Sequence, residues 1–212
     1  RAARAPARDV RAREPLQHQA LTACLDGVRQ CPLDFSQRRL ARIRTATARV
    51  RAAARRALAA ATLLGVAIVA LLPSLITGLT RGESYYYNIH WFEAFALQLD
   101  SGELYPRWLS AIWDGAGAAD FFFYAPLPFY TAYFGGGTIC LGCEPEQVFI
   151  VGNLLLLAIS GLSFFVLARE FANVNAALAA SALYTLLPNH LGFTWYYRQT
   201  VGEYAAYAIL PL

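Results

Sequence analysis

Apolar residues fall into long runs separated by polar stretches, and this pattern predicts helices that cross a membrane. The clearest runs are residues 57–79, which carry no charged side chain, and residues 148–168. Both match the length of about 20 apolar residues that a helix needs to span a bilayer. Further apolar runs cover 171–188 and continue from 203 onward. The pattern therefore predicts an all-α integral membrane protein with several transmembrane helices.

Between the first two predicted spans lies a long polar and aromatic region, residues 80–147, which we expect to be an external loop. Its residues 87–100 carry apolar side chains at helical spacing, which predicts an amphipathic helix. One face holds Ile89, Phe92, Phe95, Ala96 and Leu99. We expect this helix to lie on the membrane with its apolar face buried. It should stop at residues 101–102, since glycine accepts the left-handed conformation beyond a helix end.

The side of the membrane on which the later segments lie depends on residues 125–141. This stretch contains two prolines and a run of three glycines. If this stretch lies in the membrane interface, Arg169 is cytoplasmic and residues 189–203 return to the side of the large loop. If it spans the membrane, those two regions face opposite sides. We favour the interfacial placement because it agrees with the position of Arg169.

Composition excludes an ordinary soluble domain, since 57% of the residues are hydrophobic and 15% charged, against about a quarter charged in soluble domains. The charge is also divided. Residues 1–56 hold 14 arginines and 4 acids, a net +10, whereas residues 57–212 hold 4 arginines and 10 acids, a net −6. We expect a largely disordered or helical cytoplasmic flank at 1–56 that orients the first span with the N terminus inside.

Two alternatives remain for the basic flank. Arginine clusters also attract nucleic acid and anionic lipid, but no nucleic-acid-binding fold accompanies this one, so we expect no nucleic-acid partner. Alternatively, part of the flank has no native role. The chain contains no methionine, and its final apolar run is about half the length of a span. We therefore expect residues 57–212 to be the N-terminal part of a longer polytopic membrane domain.

The candidate chemistry lies in the loop. His90, Glu93 and Asp100 fall along one edge of the predicted helix and are candidate catalytic residues. Tyr105, Arg107 and Trp108 follow as candidate substrate-binding residues, because a forked guanidinium beside aromatic rings suits a phosphate. Transfer of a group from a lipid phosphate needs a carboxylate, as a base or as a holder of a divalent cation, and a cation for the departing phosphate. The alternative is that the two acids are a solvated helix edge and the histidine packs at the interface.

The four cysteines lie in two regions of the sequence, two in the basic flank and two in the loop. Cys24 and Cys31 should be free thiols if the flank is cytoplasmic. For the C-x-x-C pair Cys140 and Cys143 we expect a small disulfide loop on the outer side, since no second pair completes a zinc site. The sequence predicts no definite cofactor or metal site, and only the loop carboxylates could hold a divalent cation such as Mg²⁺ or Mn²⁺.

Three runs resemble a known family: HWFEAFALQLDSGELYPRW, DGAGAADFFFYAPLPFY and YYRQTVGEYAAYAILPL. They resemble the N-terminal region of the bacterial 6-pyruvoyl-tetrahydropterin-synthase-related membrane proteins, which are themselves similar to the GT-C class of glycosyltransferases. The resemblance covers roughly residues 63–212. It implies a multi-pass enzyme of the bacterial inner membrane that uses a polyprenyl-phosphate-linked sugar, with a catalytic carboxylate in the first external loop. Arg198 and Glu203 match a later polar motif and are further candidate substrate-binding residues.

The chain departs from the family pattern at one position. Related sequences tend to carry an aspartate about four residues before the histidine, where this chain has Tyr86, and the nearest carboxylates are Glu83 and Glu93. The alternative function is therefore a non-catalytic membrane protein of the same fold that binds lipid-linked glycans. A transporter is less favoured, because the runs at 148–168 and 171–188 carry no charge in their interior. The sequence does not indicate an oligomeric state.

Overall fold

A computed structural model describes the backbone of residues 14–212, and the side chains of residue 40 and of residues 42–212. The predictions for the first 13 residues and for the Cys24 and Cys31 thiols lie outside this described part. The described part is mostly helical and contains no strand, apart from one isolated bridge between Leu109 and Ala118. Contacts divide it into two units at the boundary between Arg56 and Ala57.

Two of the described helices are long and apolar enough to cross a membrane. Helix α1, Glu14–Thr77, includes one such stretch at Arg42–Thr77, and helix α5, Pro145–Phe171, is the other. The predicted runs at 57–79 and 148–168 coincide with them, except that α1 ends at Thr77. The helical class of the protein is thereby confirmed, and the two helices indicate association with a membrane.

The later apolar runs form shorter helices. Helix α6, Val174–Thr185, has 12 residues and helix α7, Val201–Ile209, has 9. At 1.5 Å per residue α6 is roughly 18 Å long, less than a bilayer core of about 30 Å. Asn173 begins α6 by accepting a hydrogen bond from the amide of Ala176, so the run at 171–188 is interrupted at its start. A π-helical segment, Asn189–Arg198, separates α6 from α7.

Helix α2, Tyr85–Asp100, forms where the periodicity predicts it and is followed by Gly102 at φ 95°. Its buried face contains Phe92, Phe95 and Leu99, as predicted. The expectation that this face lies on a bilayer is wrong, because other parts of the protein cover it. The rings of Phe92 and Phe149 are 5.5 Å apart, and Phe95 is 5.0 Å from the ring of Phe121.

The undecided stretch 125–141 forms one continuous but irregular helix. Helix α3, Leu127–Tyr130, continues through a π-helical segment, Thr131–Gly136, into α4, Gly137–Ile139. This stretch spans roughly 20 Å and is too short to cross a bilayer. Its glycines let it approach α5 closely, since a Cβ on Gly136 would collide with the backbone of α5 at Val148. The predicted disulfide between Cys140 and Cys143 follows directly.

The end of the π-helical segment lies against the start of α2. The amides of Glu83 and Ser84 donate to the carbonyls of Tyr197 and Arg198, at 3.1 and 3.2 Å. Residues 189–203 therefore lie beside the large loop, which is the arrangement expected if 125–141 does not span. We call the buried contact at this point, formed by Thr80, Asn88 and Gln199, the Gln199 junction.

Candidate functional site

An open cavity of about 670 Å³ lies along the exposed side of α2. Two candidate catalytic residues, His90 and Glu93, lie on its wall, with His90 Nδ1 3.7 Å from Glu93 Oε2. Their side chains are 66% and 46% exposed, so both can reach a bound molecule. We call this space the α2 cavity. Its lining consists of Tyr86, Tyr87, His90, Trp91, Glu93, Ala94, Leu97, Ala111, Ile112, Trp113 and Asp114.

The α2 cavity combines aromatic walls with acidic groups. Trp91 on α2 and Trp113 on the following loop supply the largest rings, and Asp114 adds a second carboxylate. Apolar pockets with a few placed polar groups are typical ligand sites. Aromatic faces can cover the C–H faces of a sugar while carboxylates accept hydrogen bonds from its hydroxyls. The arrangement therefore suits a polyhydroxylated ligand.

Two lining residues have strained backbone. Trp113 and Asp114 have φ of 53° and 54°, in the left-handed region that residues other than glycine rarely adopt. Such strain persists only where the surroundings enforce it, and it is concentrated at functional sites. Asp114 is not among the candidate residues predicted from the sequence, although the D-G-A-G run that begins there is a turn signal.

A third acid, Asp120, lies behind the wall of the α2 cavity. Burial raises the pKa of Asp120, although a hydrogen bond from the side chain of Trp91 works in the opposite direction. Its Oδ2 atom is buried and has no hydrogen-bond partner in the described part of the chain. Asp120 is therefore a partly buried acid beside Trp91, a position that the sequence did not reveal.

The third candidate catalytic residue, Asp100, faces a different space. It lines a second cavity of about 710 Å³, and its Oδ1 accepts a hydrogen bond of 2.5 Å from the hydroxyl of Tyr133. This hydrogen bond raises the pKa of Tyr133. Only Glu93 and Leu97 line both cavities. The structure thus pairs His90 with Glu93 in the α2 cavity and places Asp100 on the second cavity, which Glu93 also lines.

Tyr105, Arg107 and Trp108 line neither of these two cavities. The guanidinium of Arg107 lies 4.8 Å from the ring centre of Tyr105 and 5.6 Å from that of Phe122. The indole of Trp108 packs against Gly117, whose φ of 76° and missing side chain permit the contact. These predicted substrate-binding residues form a surface of their own.

Arg198 and Glu203 lie beside the α2 cavity but not on its lining. Arg198 Nη1 is 3.5 Å from Glu203 Oε1, and its Nε is 3.9 Å from Glu83 Oε2. A tyrosine connects the two places: the hydroxyl of Tyr124 accepts from the amide of Gly202 at 2.9 Å, and its ring is 5.2 Å from Trp91. Gly202, next to Glu203 in the chain, is thus connected through Tyr124 to the Trp91 wall of the cavity.

The donor groups that could bind a metal ion are dispersed in the described part of the chain. Within the described residues, no three His, Cys, Asp or Glu side chains lie close enough together to hold a metal ion.

Comparison of the chain with protein-family models, with curated proteins and with solved structures finds no match.

Proposed function

We propose that the chain is the membrane part of a GT-C-like glycosyltransferase, or of a close relative, that uses a polyprenyl-phosphate-linked sugar. The single observation that carries this proposal is the α2 cavity, in which the exposed pair of His90 and Glu93 faces aromatic walls. The resemblance of residues 63–212 to the pterin-synthase-related membrane proteins supports it, as do the two helices that can cross a membrane.

In this proposal Glu93 is the general base. Its carboxylate takes the proton from an acceptor hydroxyl while the hydroxyl oxygen bonds to the anomeric carbon of the sugar. The bond from that carbon to the phosphate oxygen breaks, and polyprenyl phosphate leaves with the electron pair. His90, one helical turn away, orients the carboxylate of Glu93. Trp91 and Trp113 pack against the sugar ring.

The proposed location is the bacterial inner membrane, with several spans. The 14 arginines of residues 1–56 support an N terminus in the cytoplasm, as the positive-inside rule expects. The end of α1 and the start of α5 then lie at the outer face, together with α2 and its cavity. A carboxylate at this level can meet both a lipid-linked donor and an acceptor outside the cell.

The test is transfer by the full chain in proteoliposomes. A panel of radiolabelled polyprenyl-phosphate hexoses is supplied, and release of polyprenyl phosphate is measured with and without added acceptor. We expect release with at least one donor, accompanied by a change in tryptophan fluorescence as Trp91 and Trp113 are covered. The proposal would be contradicted if no donor in the panel changes the fluorescence and none is consumed.

A second function is favoured by one observation, namely that the lining of the α2 cavity contains two carboxylates and no arginine. A transferase needs a cation near the departing phosphate, and the lining offers only His90. A non-catalytic protein that binds lipid-linked glycans would not need one. In the same assay, saturable fluorescence changes without any release of polyprenyl phosphate would favour this second function.

A further inference from the structure

An exposed aromatic surface remains unexplained by the α2 cavity. Its members are Leu104, Tyr105, Arg107, Phe122 and Phe123, which we call the Arg107 surface. Leu104 is 77% exposed and Phe123 is 92% exposed. Large apolar side chains rarely stay this exposed on a surface that meets only water, so such a cluster indicates a partner.

The charge at the centre of the Arg107 surface is unpaired. Within the described residues, no carboxylate lies within ion-pair distance of Arg107, whereas Arg198 has two. The rings of Tyr105 and Phe122 lie close to the guanidinium, which limits its motion. A guanidinium held in this way keeps its N–H donors available, and their forked geometry matches a phosphate.

The Arg107 surface is held near the start of a helix that can cross a membrane. The hydroxyl of Tyr130 donates to the carbonyl of Leu104 at 2.6 Å. The next residue toward the N terminus, Phe129, has its ring 5.9 Å from that of Phe149 in the first turns of α5. If α5 spans a bilayer, this places the surface close to the boundary between headgroups and acyl chains, where aromatic side chains are enriched.

We infer that the Arg107 surface docks onto the phospholipid leaflet. Phe122, Phe123 and Leu104 enter the outermost part of the acyl-chain layer, and Arg107 binds lipid phosphate groups just above it. The inference does not depend on the proposed transferase activity. It gives Arg107 and Tyr105 a different role from the predicted one of substrate binding, since neither lines the α2 cavity or the second cavity beside Asp100. The contact would hold the large loop, and with it the mouth of the α2 cavity, at a fixed height above the bilayer.

The experiment places a fluorescent probe on the surface. Cys24 and Cys31 are changed to serine, the disulfide is left oxidised, and Phe123→Cys is labelled with a nitrobenzoxadiazole maleimide. The full chain is inserted into phosphatidylcholine–phosphatidylglycerol nanodiscs. Quenching by nitroxide on the upper acyl chain is compared with quenching by aqueous iodide. Ser110→Cys, an exposed polar position in the same loop, is the matched control.

We expect nitroxide to quench the probe at position 123 several-fold more than the probe at position 110, and iodide to show the opposite order. Arg107→Gln should lower the nitroxide quenching at 123, and Arg107→Lys should restore part of it, since lysine binds phosphate as a point charge. Equal access of iodide to both positions would mean that the surface faces water. Protection of position 123 from both quenchers would mean that protein covers it. Either result, or unchanged quenching in Arg107→Gln, overturns the inference.

Discussion

Two polar groups sit two residues apart on helix α2 and have opposite surroundings. His90 is exposed in the α2 cavity, where its Nδ1 lies 3.7 Å from Glu93 Oε2. Asn88 is 2% exposed and donates to the carbonyl of Gln199 at 2.7 Å. A buried polar group that is already hydrogen-bonded stabilises the fold, whereas an accessible pair in a cavity is free to act on a ligand. The α2 cavity is thus the candidate site, and the Gln199 junction is a structural contact.

The Gln199 junction also shows that backbone strain alone does not identify an active site. Gln199 has φ of 55° and is buried, and its side-chain amide donates to the carbonyl of Thr80. This bond ties the π-helical segment to the chain that follows α1. Strain at Trp113 and Asp114 differs because those residues line an open cavity. What separates the two cases is access to a ligand.

The largest effect is expected at Glu93. Glu93→Gln keeps the size of the side chain and removes the base, so the transfer rate should fall by about 10²–10⁴-fold, the contribution typical of general base catalysis. Insertion and thermal stability should not change. The matched control is Glu103→Gln, an acid bonded to Gln98 outside both cavities. Equal losses of rate in the two variants would remove Glu93 from the site.

The next effect is expected at the Gln199 junction. Asn88→Ala removes a buried hydrogen bond and leaves a small void, which should destabilise the fold by about 1–3 kcal/mol. Thermal unfolding in detergent measures this loss. His90→Ala, two residues away and exposed, should leave the unfolding temperature unchanged and lower only the transfer rate. If His90→Ala is the more destabilising of the two, the distinction between the candidate site and the Gln199 junction is wrong.

A smaller effect is expected at Arg198. Its side chain is 36% exposed and its partners Glu83 and Glu203 are 70% and 51% exposed, so these ion pairs should contribute at most about 1 kcal/mol. Arg198→Gln should therefore shift thermal unfolding slightly, and less in high salt. A large loss of transfer with little loss of stability would instead place Arg198 in contact with the substrate.

The smallest effect concerns Asp120 and pH. Burial raises the pKa of Asp120 above its value in the unfolded chain. The neutral acid therefore stabilises the fold fully below the unfolded pKa of about 3.9, and this contribution is lost as the pH rises through the folded pKa. Asp120→Asn stays uncharged at every pH in this range. Its unfolding temperature should rise relative to wild type as the pH increases from 3.5 to about 6. A difference that shrinks over this range contradicts the assignment.

Local features of the fold could be predicted from the sequence. Helix α2, its stop before Gly102 and the disulfide between Cys140 and Cys143 depend on residues close together in the chain. The position of the apolar face of α2 could not be predicted in this way. Phe121, Phe129 and Phe149 cover it, and they come from distant segments.

The candidate site was predicted only in part for the same reason. His90 and Glu93 lie on the same edge of α2, so their spacing in the sequence was sufficient to predict that their side chains lie close together. Asp114 reaches the cavity through a loop with left-handed backbone, and Asp120 lies beside Trp91. Neither position follows from a periodic pattern of residues in the sequence. Asp100 shares the second cavity with Glu93 but does not line the α2 cavity with His90. Its carboxylate instead accepts a hydrogen bond from Tyr133, which lies on another segment.

The most direct test compares the access of a thiol reagent to the α2 cavity with its access to the Gln199 junction. With Cys24 and Cys31 changed to serine, single cysteines replace His90, Asn88 and Glu170 in intact cells and are treated with an impermeant thiol reagent. We predict rapid labelling at 90, slowed by a bound polyprenyl-phosphate hexose, and none at 88 or at 170. Labelling at 88 as fast as at 90, or labelling at 90 that no donor slows, would contradict the assignment of the α2 cavity as the functional site.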